Sequence, residues 1–378
     1  MRRRLLVPLA LPALGGLLAG CGGSDGAGTA AAAAGGGGAT VAVSAGDTTC
    51  DVASTTWAPG ATTLSVRNTG GDTTEVYVYA GDQAKGEVEN IAPGTSRSLV
   101  VDPAAGEYEV ACKPGQTGDG IRTKVTVAGA SAAAAQDPRL DAGVAQFTTY
   151  VREQTDEVLT RTRAFAAAVE RGDTAEAKKL YPASRVPWER IEPVAETFGD
   201  LDPRVDAREG DVAEGDAWTG WHKLEKDLWT KGKGNPADAR QLVADLQELK
   251  TAVATVQLTA TQIGEGSKAL LDEVATGKVT GEEERYSHTD LVDFSANLEG
   301  AKKGYDALGP VAADRDPELV ASLDARFATV TRTLARYGSG ADFVSYTKLT
   351  KAQVRELSDQ VDALAEPLSK LTATVVRS

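Results

Sequence analysis

The sequence predicts a multidomain chain, an all-β sandwich or Greek-key barrel followed by an all-α helical bundle. Three observations carry this. Short stretches between residues 41 and 128 alternate with period two, as half-buried strands do. From about Asp137 to the end the apolar period changes to 3.6, that of a helix with one buried face. A small-residue joint separates the two patterns. The length of 378 residues suits two or three domains, and 42% hydrophobic with 25% charged residues describes a globular chain.

The N-terminus reads as an address. Arg2, Arg3 and Arg4 precede an apolar run, Leu5–Leu18, that is too short to span a bilayer as a helix. Leu18-Ala19-Gly20-Cys21 resembles a bacterial lipoprotein box, which makes residues 1–20 a signal peptide and Cys21 the lipid anchor. The alternative is an ordinary secretory signal with an incidental cysteine. Both readings put the protein outside the cytoplasm, and the first anchors it to the outer face of the cell membrane. Residues 21–40, rich in Gly and Ala, form a flexible tether with nothing to pack.

Within 41–128 the expected strands include Thr40–Val43, Thr63–Val66, Glu75–Tyr79, Ser98–Val101, Glu107–Val110 and Thr123–Val127. Pro59-Gly60, Asn68-Thr69-Gly70-Gly71, Pro93-Gly94 and Pro114-Gly115 supply turns between them. Cys50 and Cys112 both fall here, and outside the cytoplasm a cysteine pair in a small β domain is expected to form a disulfide. Closing that loop would contribute roughly 4 kcal/mol in the chain-entropy model. Thiolate metal ligation is the competing reading. Glu87, Glu89 and Glu107 read as solvated surface acid.

Residues 129–136 are the linker, and 137–378 the helical domain. Val151, Val158, Phe165 and Val169 share a stripe, as do Leu242, Leu246, Leu249 and Val253. Leu319, Leu323, Phe327 and Val330 form another, and Leu357, Val361, Leu364 and Leu368 a fourth. Asp316-Pro317 reads as an N-cap with proline at the first helical position. Gly172, Gly199, Gly264, Gly277, Pro310 and Gly338 read as stops, which gives about seven to nine helices.

Charge narrows the function. Asp plus Glu number 54 against 40 Lys plus Arg, a net charge of −14. Without basic clusters the chain is a poor partner for nucleic acid, while acidic excess suits a cation. With only two histidines in the sequence, metal chemistry must centre on few positions. His222 and Glu225, three apart in Trp221-His222-Lys223-Leu224-Glu225, share one face of a helix and form a half-site for a metal ion. A surface histidine beside a helix ion pair is the plain alternative. His288 follows Glu284 by four and precedes Asp290 by two, and Asp290 or Asp293 is placed to orient its ring. Glu189, Glu192 and Glu196 recur at helical spacing, with Arg185 or Arg190 as the ion-pair alternative to a cation. Asp238 joins Glu189, Glu192 and His288 as a further candidate ligand.

Gly220-Trp221-His222-Lys223-Leu224-Glu225 resembles the GxHxxE signature of imelysin-like domains. The blocks Arg190-Ile191-Glu192-Pro193, Asp206-Ala207-Arg208-Glu209 and Arg285–Leu291 are similar to those of EfeO-type iron-uptake lipoproteins. Glu89–Gly94 and Gly106–Cys112 resemble a cupredoxin. The resemblance covers about residues 40–376 and implies a cupredoxin-like sandwich followed by an imelysin-like bundle. It further implies an extracytoplasmic iron carrier that delivers to an EfeU-type permease, with an EfeB-type haem peroxidase as partner. No histidine precedes His222, so the β domain cannot build a blue-copper centre from its own side chains. Relatives often place a histidine where Pro187 aligns, which leaves the Glu189 helix with carboxylates only.

Imelysins were also classed as metallopeptidases. Neither HExxH nor HxxEH is present, since Lys226 occupies the position where the second would need histidine. The expectation is a non-enzymatic iron site, ferrous or ferric, built on His222 and Glu225. Zinc, manganese or copper would also suit such donors. A peptidase or a metal-free envelope scaffold are the other classes considered.

Overall fold

The structure, a computed structural model, describes residues 39–81, 83–129, 137–212, 217–276 and 278–376. Cys21, the expected signal peptide, most of the tether and linker residues 130–136 lie outside the described residues.

The β half begins with β1 (Ala39–Ala45), β2 (Cys50–Val52), β3 (Thr56–Trp57) and β4 (Thr62–Asn68). It continues with β5 (Thr74–Ala80), β6 (Gln83–Ile91), β7 (Ser96–Val101), β8 (Gly106–Pro114) and β9 (Ile121–Val127). One sheet has the order β2-β1-β4-β7 and the other β3-β9-β8-β5-β6. Alternation puts Val41, Val43, Leu64, Val66, Leu99 and Val101 inward from the first sheet, against Val76, Val78, Val88, Val110 and Val125 from the second. Cys50 on β2 and Cys112 on β8 form a disulfide that ties the two sheets together. The cysteines are therefore spent on a cross-link and not on a metal.

The alternation rule missed β6. Its pairing with β5 shifts register twice, between Thr74 and Val76 and between Val78 and Tyr79. Such bulges break the clean two-residue rhythm. Glu107 is exposed as expected, but Glu87 and Glu89 on β6 are half-buried, because β6 packs against the helical half.

The helical half runs α1 (Pro138–Glu170), α2 (Thr174–Glu189), α3 (Leu201–Asp206), α4 (Gly220–Lys231) and α5 (Pro236–Thr255). Then come α6 (Ala260–Thr276), α7 (Asp290–Arg315), α8 (Pro317–Leu334), α9 (Lys351–Leu368) and α10 (Leu371–Val376). The four predicted stripes all face one core. Asp316 caps α8, its carboxylate accepting the Leu319 N–H at 2.9 Å. Two expected stops are interior to helices. Gly264 lies within α6, where a Cβ would meet Thr372 Oγ1 at 2.5 Å, so this glycine serves close packing. Pro310 lies within α7. The acidic segment expected as one helix is broken: α2 ends at Glu189 and a 3₁₀ turn spans Glu192–Phe198.

The β and helical halves belong to one compact unit, Gly37–Ser378. Arg97 on β7 pairs with Asp272 on α6 at 2.8 Å, and Glu265 on α6 accepts the Val100 N–H at 3.2 Å. Among the described residues no helix is long and apolar enough to cross a membrane.

Candidate metal centre

Local sequence explains how α4 delivers its histidine. Gly220 has φ +86°, a conformation that side chains rarely adopt, and a Cβ there would strike Val205 O at 2.2 Å. Glycine thus lets α4 start directly against α3. Two residues later His222 turns inward, and Glu225, three further on, lies on the same face. His222 is 2% exposed and Glu225 1%, so this is no surface pair.

Other segments close on the ring from different directions. The end of α3 brings Asp206, whose Oδ1 lies 3.5 Å from His222 Nε2. The loop before α7 brings Glu283, whose Oε1 is also 3.5 Å from Nε2. On the opposite edge Glu225 Oε2 lies 3.7 Å from Nδ1. Glu284 completes a second group with His222 and Glu225. Neither ring nitrogen has a hydrogen-bond partner among the described residues. An enclosed imidazole that faces carboxylates at 3.5–3.7 Å, with neither nitrogen hydrogen-bonded, is an arrangement a cation would complete.

Arg185 on α2, fully buried, holds this ring of acids together. Its Nε donates to Asp293 Oδ1 at 3.3 Å and lies 2.8 Å from Glu284 Oε1. Its terminal nitrogens pair with Glu189 and Asp206, and one lies 3.5 Å from Glu283. Lys278, also buried, reaches Glu192 at 2.6 Å, Glu189 at 3.1 Å and Glu283 at 3.6 Å. Arg208 donates to Glu283 Oε2 at 3.0 Å. Trp188 Nε1 donates to Asp206 Oδ2 at 2.8 Å.

Titration follows from this company. Burial pushes the Glu283 carboxyl up, but Lys278, His222 and Arg208 outweigh it and hold it well below the usual range. Glu284, dominated by burial and by the charge of Glu225, is pushed well above it. Burial and Arg185 pull the His222 imidazolium down, yet Glu225, Glu283 and Asp206 raise it to about 9. Without a metal, the ring therefore carries a proton at neutral pH, and an arriving ion must displace it.

The predicted ligands divide. His222 and Glu225 come together as expected. Glu189 and Glu192 lie beside them but are held by Lys278 and by the Asn297 amide. Asp238 pairs with Lys223 at 3.5 Å and belongs to no candidate metal group among the described residues. His288 is half-buried at φ +59°, and its carbonyl accepts the Tyr346 N–H at 3.0 Å. It too stands outside the metal groups. The carboxylates expected to orient His288 each turn one oxygen to another group: Asp290 Oδ1 accepts the Glu284 N–H at 3.1 Å, and Asp293 Oδ1 faces Arg185. Asp206, Glu283 and Glu284 were not singled out as ligands. The Glu282-Glu283-Glu284 run lies in a loop that ends at the left-handed His288.

A second acidic group lies elsewhere. Glu87 and Glu89 on β6 meet Glu196 of the 3₁₀ turn, all three half-buried.

The comparisons agree with this architecture. The imelysin family, peptidase M75, matches residues 143–371. The chain is 39% identical over 346 residues to the iron uptake system component EfeO of Escherichia coli O1:K1, covering 88% of this chain and 90% of that one. Its identity to EfeO of Escherichia coli K12 and of Shigella flexneri is 38% over 344 residues, with the same coverage. A solved structure of an iron-regulated protein A precursor from Parabacteroides distasonis superimposes with a TM-score of 0.50 at 16% identity. That match covers 64% of this chain and 97% of the other, and at this identity it speaks for the fold alone. The chain belongs to the imelysin family and, within it, to the EfeO-type iron uptake components.

Proposed function

We propose that the chain is the extracytoplasmic iron-binding component of an iron uptake system. It takes iron, ferrous or ferric, at His222 and hands it to a membrane permease of the EfeU type, in a system that also includes an EfeB-type haem peroxidase. The lipid anchor at Cys21 would keep it at the outer face of the membrane. The observation that supports this most is His222, buried with neither nitrogen hydrogen-bonded and facing Asp206, Glu225, Glu283 and Glu284. Hard oxygen donors with one imidazole suit iron, while zinc or copper would also bind. The EfeO relatives are named for iron uptake. Peptidase chemistry has less support, because Lys226, where a zinc-binding histidine would be needed, pairs with Glu209.

Calorimetric titration with ferrous iron under anaerobic conditions tests this. The parent protein should bind one ion per chain. The His222→Ala/Glu225→Ala variant should bind at least 100-fold more weakly, about 3 kcal/mol. Equal affinity in the two proteins would rule the site out.

A further inference from the structure

The β and helical halves meet without a shared apolar core. The buried β cluster ends at Val127 and the helical one begins at Leu140, and among the described residues no apolar cluster spans both. β6 packs on the 3₁₀ turn and on α6, and β7 on α6. A junction without apolar burial does not lock two domains, so their docking depends on its polar groups.

Those groups are sorted unevenly. The cations nearby have acids of their own. Arg97 on β7 and Lys268 on α6 pair with Asp272 at 2.8 and 2.9 Å, and Lys113 on β8 pairs with Glu75 on β5 at 3.2 Å. Glu265 on α6 accepts the Val100 N–H. Glu87 and Glu89 from one half are left facing Glu196 from the other. One carboxylate oxygen of each lies within 4.8 Å of the other two, and Glu87 Oε2 is buried without a hydrogen-bond partner among the described residues. Asp202 on α3 hydrogen-bonds with Glu196, a contact between two carboxyls that needs a proton on one of them. Glu273 on α6 stands near Glu89, and Tyr77 on β5 near Glu87.

Once ionised, these acids repel across the junction, and half-burial weakens the screening by water. Burial first, and then the neighbouring acids, push Glu87, Glu89, Glu196 and Asp202 well above the ordinary carboxylate range. We propose that the junction is a proton-operated latch: the β half docks on the helical half while Glu87, Glu89 and Glu196 carry protons, and is released as they ionise. A carboxyl that holds its proton more tightly docked than free favours docking in acid, and that contribution is lost as pH rises. The 3₁₀ turn leads into α3, which ends at Asp206 beside His222, so the latch stands one short helix from the metal centre.

The test compares the full chain with Glu87→Gln/Glu89→Gln/Glu196→Gln, whose amides keep the shape and cannot ionise, at about pH 5.5 and about pH 9. Hydrogen exchange is compared between the two proteins at the same pH, which cancels the intrinsic effect of pH on exchange. At the higher pH the β6 and 3₁₀-turn amides of the parent should exchange at least about tenfold faster than those of the variant. Small-angle X-ray scattering should then give a larger radius of gyration for the parent alone. At the lower pH the two proteins should coincide in both measurements. Equal exchange at the higher pH, or faster exchange with no growth in the radius of gyration, would overturn the latch. Glu89→Lys is the second variant, because it supplies the missing cation. It should stay docked at the higher pH, and release to the same extent as the parent would equally overturn the proposal.

Discussion

The acids around His222 and the acids between β6 and the 3₁₀ turn are the same chemical group in opposite company. Around His222, two buried cations, Arg185 and Lys278, and the half-buried Arg208 share the carboxylates. Glu189 and Glu283 accordingly titrate below the ordinary range although burial alone would raise them, and Glu225 does so through His222 and the Ser287 and Tyr286 N–H groups. At the β6 junction, Glu87, Glu89 and Glu196 form no ion pair with lysine or arginine among the described residues. Burial first, then mutual repulsion, pushes all three well above the ordinary range. Closeness of carboxylates is therefore not enough to make an ionised site. Favourable partners hold Glu189, Glu225 and Glu283 down, while Glu192, Glu284 and Asp293 in the same network are pushed up by burial and like charge, as the junction acids are.

The comparison can be broken at its strongest point first. Arg185→Met would leave Glu189, Asp206, Glu284 and Asp293 short of their common counter-ion. Removing one partner of a buried ionic network costs about 3–5 kcal/mol, so the metal-free variant should show a large fall in melting temperature. A melting temperature within two or three degrees of the parent would mean that the guanidinium is not the organiser of this group.

A smaller effect is expected from pH. The His222 pKa is raised, to about 9, above the ordinary value near 6.5. Its proton-linked stability is fully present below pH 6.5 and is lost as pH rises through 9. The metal-free protein should lose on the order of 2–3 kcal/mol over that window relative to His222→Gln, read by chemical denaturation at each pH. Metal affinity should move the other way and strengthen from pH 6.5 towards 9, because the ion displaces the ring proton. A flat affinity across that window would show that the ring is neutral before the ion arrives.

The smallest effect belongs to the junction. Glu196→Gln removes one of the crowded carboxyls and keeps the shape, so stability at pH 7 should change by no more than about 1 kcal/mol. A loss as large as that of Arg185→Met would place a hidden ionic network there and erase the contrast between the two groups.

Much of this architecture was legible in the sequence because periodicity reports burial on one face. The stripe Leu319, Leu323, Phe327 and Val330 became the inner face of α8, and the disulfide followed from compartment and pairing. The site was half legible for the same reason. His222 and Glu225 share a helix, so their spacing alone brings them together. Asp206 and Glu283 meet them through tertiary folding, across α3 and a loop whose shape depends on a left-handed His288. No local spacing encodes that meeting. Arg185 was legible as an ion-pair partner for the neighbouring glutamates, but its place at the centre of five acids depends on four separate segments. The expectation of surface acid at Glu87 and Glu89 failed because it ignored how the helical half would cover β6.

The central claim is that one imidazole and a group of carboxylates hold the transported ion. X-ray absorption at the iron edge, on iron-loaded protein, reads the donor set directly. The account predicts a shell of oxygen donors with a single imidazole, whose outer-ring scattering disappears in His222→Ala. A sulfur donor, two or more imidazoles, or a spectrum unchanged by that substitution would contradict it.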